Sequence, residues 1–318
     1  MQTLDDFVQL LDGDLELFGY EIRDLTERYG EDYTRDATFI LVHLERFAAH
    51  YGDTLLGILR LYSDFTRQVV EDTRLFARSG RYQNSSESDI EHLVSDSTFQ
   101  LHYLYFLSLS SALLRNRYEV FRHYRSIVRK HLAGNNLCLE IGGGNCIDAM
   151  FLSDFGRVDV FERNKMSLLW QKILRLENRV NLNIANYYFG DRAKYDFVTM
   201  IELLEHVSDP ARYLKGAHTV LKDEGSAYLT FALRMPQVDH LFLFDSIEQC
   251  QGLLSDSGFS IVEEYCTINT HQPFDDEARW TLANDPKSAV TYCCYVKKHE
   301  ACEIQRLIDA FNDGLNFN

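Results

Sequence analysis

The sequence predicts an α/β protein: a doubly wound, largely parallel sheet preceded by an all-α N-terminal region. Three observations carry that expectation. Residues 1–131 hold no proline and repeat their apolar positions at helical spacing. From 135 onward short apolar runs alternate with amphipathic segments, as a parallel sheet with crossover helices requires. At their junction the run Leu-Cys-Leu-Glu-Ile-Gly-Gly-Gly over 137–144 turns a buried strand into a helix through three successive glycines.

In chain order, Ile40, Leu44 and Phe47, then Leu55, Ile58, Leu59, Tyr62 and Phe65, mark two amphipathic helices. A polar stretch over 79–89 breaks the pattern, with Ser88 or Asp89 placed to cap the next helix. That helix contains 99–114, is apolar around most of its circumference and is expected to be buried. Residues 115–130 form a basic run in an acidic chain. Such runs are usually solvated faces paired to nearby carboxylates, the sharper alternative being a site for a substrate phosphate or carboxylate. The reading gives a helical lid, substrate or dimerisation domain over 1–115, a linking helix over 116–134, a sheet domain over 135–300 and an amphipathic tail over 301–318. Strands are expected at 136–141, 157–162, 180–185, 195–201, 226–232, 259–266 and 289–296. Helices are expected at 147–155, 165–177, 209–222 and 246–257.

The chain has 318 residues, 46% of them hydrophobic and 13% aromatic, enough for a sizeable core. Its formal net charge of −16 argues against a sequence-independent grip on nucleic acid or an anionic membrane. Seven cysteines without a C-x-x-C pair fit a reducing, cytoplasmic setting, and the adjacent Cys293 and Cys294 should face opposite sides of a strand. No signal peptide is legible, and no run reaches the roughly 18 apolar residues of a membrane span. Among eleven histidines there is no H-x-x-x-H or H-E-x-x-H spacing, so no metal site is expected.

The glycine bend reads as a cofactor loop, because residues without Cβ let backbone amides approach a ligand and take positive φ freely. A nicotinamide fingerprint would want glycine at 142, 144 and 147. Position 147 is isoleucine, and Glu140 would repel a pyrophosphate there. A carboxylate at that place suits a cofactor bearing an ammonium. Twenty positions after Gly142, the run 158–161 ends in Glu162, an offset that suits an acid accepting two hydrogen bonds from a ribose diol.

With these features the chain resembles the class I S-adenosylmethionine-dependent methyltransferases over about residues 118–298. Their acid-x-Gly-x-Gly-x-Gly motif falls on Glu140, Gly142, Gly144 and Cys146, with the third glycine replaced, and Gly143 lies inside it. A further motif falls on 195–210, which contains Leu-Glu-His-Val at 204–207. The resemblance implies a Rossmann-like sheet of order 3-2-1-4-5-7-6 with the last strand antiparallel, and S-adenosyl-L-methionine as cofactor. By the same analogy Asn186 ends the third strand against adenine, and Ile201 with Glu202 sits beside the methionine part. Asn164 is a candidate support for Glu162, and one ring of the cluster 187–189, Tyr187 first, could stack on adenine, the alternative being an ordinary core aromatic.

Methyl transfer from a sulfonium is an in-line displacement on an activated carbon, so positioning and exclusion of water are the protein's main tasks. His206 is a candidate base or orienting donor, and Asp239 and His240 are further candidates after the fifth strand, read as alternatives because neighbours in sequence rarely point the same way. The function expected is methyl transfer to a biosynthetic small-molecule acceptor, at oxygen or nitrogen more than carbon. An aminopropyl or aminocarboxypropyl transferase and a non-catalytic cofactor-binding protein are the rivals. A homodimer through the N-terminal helices is a further possibility.

Overall fold

The computed structural model describes residues 3–299 apart from 81–85, 87, 89, 92–94, 188, 191 and 270–274, with backbone alone at 14, 77 and 276. The expected tail over 301–318 lies outside the described residues, as does Asp89.

The helical region opens with a short helix α1 (Leu4–Val8) capped by Thr3, followed by the long α2 (Glu16–His50). Helix α2 kinks at Gly30, where φ is +57°, a value that glycine tolerates and that interrupts the hydrogen-bond ladder. Helix α3 (Leu55–Ser79) starts on the Thr54 hydroxyl, which accepts from the Gly57 amide, and stops at Gly80 in the left-handed region. Helix α4 (Ser97–Leu113) is capped by Asp96, whose carboxylate accepts from the Phe99 amide at 2.7 Å. The helix that holds most of 99–114 is thus started by Asp96, while the cap expected at Ser88 or Asp89 falls at a position only partly within the described residues, where Ser88, Ile90 and Glu91 are helical. Packed by α2, α3 and the following helix α5 (Arg115–His131), α4 has the buried surroundings its apolar circumference demands.

Seven strands follow: β1 (Asn136–Ile141), β2 (Gly156–Glu162), β3 (Val180–Ile184), β4 (Tyr195–Met200), β5 (Leu221–Leu233), β6 (Phe259–Ile268) and β7 (Val290–Lys298). They form one sheet of order β3-β2-β1-β4-β5-β7-β6, parallel through β5 and antiparallel where β7 pairs with β5 and β6. Fold and strand order match the expectation. Helices α6 (Ile147–Leu152) and α7 (Ser167–Ile173) cross on one side, and α8 (Pro210–Val220) and α9 (Ile247–Asp256) on the other.

Two elements depart from the sequence reading. Strand β5 begins five residues early, because Tyr195 pairs with Leu221 before a register shift that resumes at Phe197 and Ser226. A short helix α10 (Asp276–Ala283), started by the Asp275 carboxylate, sits between β6 and β7 where no helix is expected. Two turns with little apolar periodicity leave no such signal.

Side chains on the two sheet faces enter different cores, and Cys293 and Cys294 point into one each. The first core runs without interruption from Phe18, Tyr33 and Phe47 of the helical region to Cys138, Val160 and Trp170 of the sheet layer. The Phe47 ring meets Trp170 edge-on with centroids 5.2 Å apart. This continuity brings α4 and α5 down onto the carboxyl ends of β1 and β4, where open α/β sheets hold ligands.

Candidate active site

The bend after β1 uses its glycines for different purposes. Gly142 and Gly144 take φ of +80° and +45°. A Cβ on Gly143 would overlap the Val160 side chain of β2, and one on Gly144 would meet Leu107 of α4 at 2.9 Å. Cys146, at the third glycine position, adopts a left-handed φ of +54° all the same, at a cost of about 1 kcal/mol. Its surroundings hold it there: its amide donates to the Gly143 carbonyl at 2.6 Å, Trp170 Nε1 donates to the Asn145 carbonyl at 2.6 Å, and Ser167 Oγ to that of Gly144 at 2.7 Å.

Glu140 lies under this bend, 3% exposed, and its Oε2 has no hydrogen-bond partner among the described residues. Burial, with the charges of Asp148 and Glu162 near it, pushes its pKa well up. A buried carboxyl without a cation is the complement of an ammonium, so this residue fits the cofactor the sequence implies. At the tip of β2, Glu162 Oε2 accepts from the Gly144 amide and Oε1 from the Asn164 amide, both at 2.7 Å. Each oxygen keeps a second lone pair for a ribose hydroxyl. Asn164 itself is otherwise engaged. Its Nδ2 donates to the Gln100 carbonyl at 2.7 Å and its Oδ1 accepts from the Met166 amide at 2.9 Å, so its side chain ties the loop to α4 and only its backbone supports Glu162.

Gly142, Gly143, Gly144, Glu162 and Asn164 line a cavity of about 200 Å³ together with Asn186, Tyr187, Ile201 and Glu202; Glu140 lies behind the bend, outside that lining. Asn186 is exposed, whereas Tyr187 is buried edge-on against Phe161 with centroids 4.6 Å apart. Glu202 has φ of +50°, its amide donates to Thr230 Oγ1 at 2.7 Å, and its Oε2 is 2.6 Å from Arg117 Nη1. Tyr103 and Leu107 of α4, Arg117 of α5 and Asp148 of α6 form other parts of the wall, and sequence reasoning gave none of them a role. Arg117 was hidden in a basic run whose other members do pair with carboxylates, as Arg125 with Asp36 and Lys130 with Glu263. Asp148 is raised to about 6 by burial, against the pull of Arg117.

His206 stands in a 3-10 turn (Leu204–His206) after β4. Its Nδ1 donates to the Asp239 carbonyl at 3.0 Å and lies 3.4 Å from that residue's Oδ2. Burial lowers the pKa of the imidazole, but Asp239 and Glu205 outweigh it and the net shift is upward. The His240 ring is perpendicular to that of His206 at 4.7 Å, donates from Nδ1 to the Met235 carbonyl at 2.7 Å, and is pushed down to about 4 by burial. Asp239 and His240 are thus not alternatives. The segment turns at Gln237, whose carbonyl accepts from the His240 amide, and both residues come to face His206.

Glu205 was overlooked, although it adjoins His206 in sequence. It is fully buried, neither oxygen has a partner among the described residues, and burial beside Glu202 raises it to about 8. Ligand atoms of Glu205, His206 and His240 lie within 4.8 Å of one another, a grouping able to hold a cation or pass a proton. It draws on two separate segments, which local spacing could not reveal.

Several known methyltransferases are similar to this chain. Ubiquinone biosynthesis O-methyltransferase of Pseudomonas syringae pv. tomato is 29% identical over 132 residues, 40% of this chain and 56% of the relative. The enzyme of that name from Pseudomonas aeruginosa is 28% identical over the same length. The chain thus spans a little over half the length of these curated relatives. Among solved structures, 1,6-didemethyltoxoflavin-N1-methyltransferase of Burkholderia thailandensis is 15% identical with a TM-score of 0.44, covering 57% of this chain and 79% of that one. An S-adenosylmethionine-dependent methyltransferase of Mesorhizobium loti is 13% identical with a TM-score of 0.43, covering 56% and 96%. Residues 113–277 match the family described as a methyltransferase domain, and with its acid-glycine loop and 3-2-1-4-5-7-6 sheet the chain belongs to that family, in the class I S-adenosylmethionine-dependent branch.

Proposed function

We propose that the protein transfers a methyl group from S-adenosylmethionine to a hydroxyl or amine of a small-molecule acceptor. The observation that carries this reading is the single cleft that has the glycine bend and Glu162 on one side and His206 with Asp239 on another, with the buried Glu140 carboxyl close behind Gly143. The names of the curated relatives, all O-methyltransferases of ubiquinone biosynthesis, support oxygen as the acceptor atom.

When bound, the cofactor supplies a methyl carbon already activated by positive sulfur. The chain's own residues do the rest. Glu140 would hold the ammonium, Glu162 the ribose, and Asn186 with Tyr187 the adenine. Because the Asp239 carbonyl can only accept, His206 carries its proton on Nδ1 and presents Nε2 as a base for the proton that the acceptor atom loses. The Asp239 carboxylate then stabilises the imidazolium. The N-terminal helices, through Tyr103 and Leu107, exclude water from the reacting atoms.

Calorimetric titration of the purified protein with S-adenosylmethionine and S-adenosylhomocysteine, with NAD as control, tests the reading. Micromolar binding of the first two and none of NAD is expected. Absence of binding by both would remove it.

A further inference from the structure

A second cavity, of about 550 Å³, continues from the cofactor cleft beneath α2, α3 and α4. Tyr103, Leu107, Arg117, Glu202, His206 and Asp239 line both spaces, so a molecule in the second reaches the groups that flank the first.

The two ends of this cavity differ in chemistry. Its outer wall is built from rings: Phe65 stacks on Phe106 with centroids 4.8 Å apart, and Phe18 on Tyr62 at 5.5 Å. The apolar surface continues to solvent through Leu17 and Val70, which are 54% and 48% exposed. The outer rim carries both signs of charge, including Arg67, Glu71 and Arg74, and so favours neither strongly. A concave apolar wall that opens on exposed aliphatic side chains is matched to an apolar ligand body long enough to reach the rim.

The inner end is rich in acceptors. Glu202 Oε1 and Asp239 Oδ1 have no hydrogen-bond partner among the described residues, and the Glu205 carboxyl lies behind them in the same state. Arg117 is the guanidinium there, and Glu202 Oε2 already engages it at 2.6 Å. An anionic ligand head at this end would face several carboxylates, and of the basic groups described there Arg117 is already engaged by Glu202 and His206 by Asp239. A head that donates hydrogen bonds would satisfy oxygens whose desolvation otherwise costs about 1–3 kcal/mol each.

We propose that this second cavity is the acceptor site, and that it takes an apolar-bodied hydroxyl or amine compound whose neutral or cationic head donates hydrogen bonds to Glu202 and Asp239. The inference rests on the methyl-transfer reading for the role of the ligand, but not for its binding. In that position the nucleophilic atom lies between His206 and the cofactor cleft, with the body of the molecule running outward between α3 and α4.

Three matched probes test it: 4-phenylbutanol, 4-phenylbutylamine and 4-phenylbutyrate, each titrated into protein saturated with S-adenosylhomocysteine and followed by ligand-observed NMR. The alcohol and amine are expected to bind at least tenfold more tightly than the carboxylate. Val70→Glu at the exposed rim and Phe65→Ala in the wall should each weaken them about tenfold while leaving the affinity for S-adenosylhomocysteine unchanged. Equal or tighter binding of the carboxylate, binding of none of the three, or indifference to both substitutions would overturn the proposal. If S-adenosylhomocysteine itself fails to bind, the methyl-transfer reading falls, and the same titrations on the free protein still decide the ligand class.

Discussion

Arg117 of α5 and Glu202 at the end of β4 form a close ion pair, Nη1 to Oε2 2.6 Å, in which each side chain is less than a fifth exposed. The pair joins the helical region to the strand that faces the cofactor. Glu202 has a left-handed backbone conformation that few residues with a Cβ adopt, and its amide donates to Thr230 Oγ1. Arg117→Met should strand a buried carboxylate and lower stability by about 3 kcal/mol. Denaturant titration reads that loss directly, and Arg117→Lys, which keeps the charge without the planar fork, should recover part of it. Equal stability of Arg117→Met and the parent would show that the pair is not a brace.

Glu162→Ala removes an acceptor of two backbone amides as well as the expected ribose ligand. Affinity for S-adenosylmethionine should fall on the order of 100-fold by calorimetry, two charge-assisted hydrogen bonds being worth about 3 kcal/mol or more. The far-ultraviolet circular dichroism spectrum should be unchanged. Unaltered affinity would remove the ribose assignment.

His206 needs to be neutral to act as a base, and although burial lowers its pKa, the Asp239 carboxylate favours the imidazolium enough to lift it above the ordinary histidine value. Turnover should therefore rise with pH through a midpoint above about 6.5. In Asp239→Asn that midpoint should move down by roughly one unit, with the KM for cofactor little changed. A pH profile that stays in place would deny Asp239 this influence.

The Glu205 carboxyl makes the opposite contribution to stability. Its folded pKa of about 8 exceeds the usual glutamate value, so between about 4.5 and 8 the folded chain retains a proton that the unfolded chain has released. Stability from this group is complete below that window and declines as pH rises through it. Glu205→Gln, which keeps the shape without the charge, should be increasingly stabilised relative to the parent from pH 5 to pH 8. Thermal unfolding at both values measures the change, and a constant difference would mean that the carboxyl is not held neutral.

Dialysis against EDTA should leave methyl transfer unchanged if His206 serves as a base and the group Glu205, His206 and His240 handles protons alone. Loss of activity restored by a divalent ion would assign that group to a cation instead.

The cofactor side was legible in the sequence because it is local. Glu140 and the glycines lie within five residues of one another, and Glu162 follows at a spacing fixed by one strand-helix-strand unit. The sheet was legible for a similar reason, since strands buried on both faces leave mainly apolar runs such as 195–200, where only Asp196 and Thr199 are polar. The acceptor side is built differently. Tyr103, Arg117, His206 and Asp239 come from four segments, and only the packing of α4 and α5 on the sheet brings them together. At Arg117 the expected pairing to a carboxylate holds, but the side chain is turned into the cleft and not to solvent, as Lys130 of the same run is. Adjacency misled at Asp239 and His240, because a turn rather than a strand carries them.

The uninterrupted core between the helical region and the first half of the sheet has a consequence for how such a protein can diversify. Leu107 presses on Gly144, Asn164 is anchored to α4, and Phe47 abuts Trp170, which in turn supports the glycine bend. The helices that shape the acceptor cavity are thus part of the scaffold of the cofactor loop. A lineage cannot exchange those helices wholesale for new specificity, as it could with a separately folded module, without rebuilding the glycine bend proposed to hold the methyl donor. Change is confined to side chains facing the cavity, where Phe65, Val69 and Val70 can vary while the two binding functions are inherited as one.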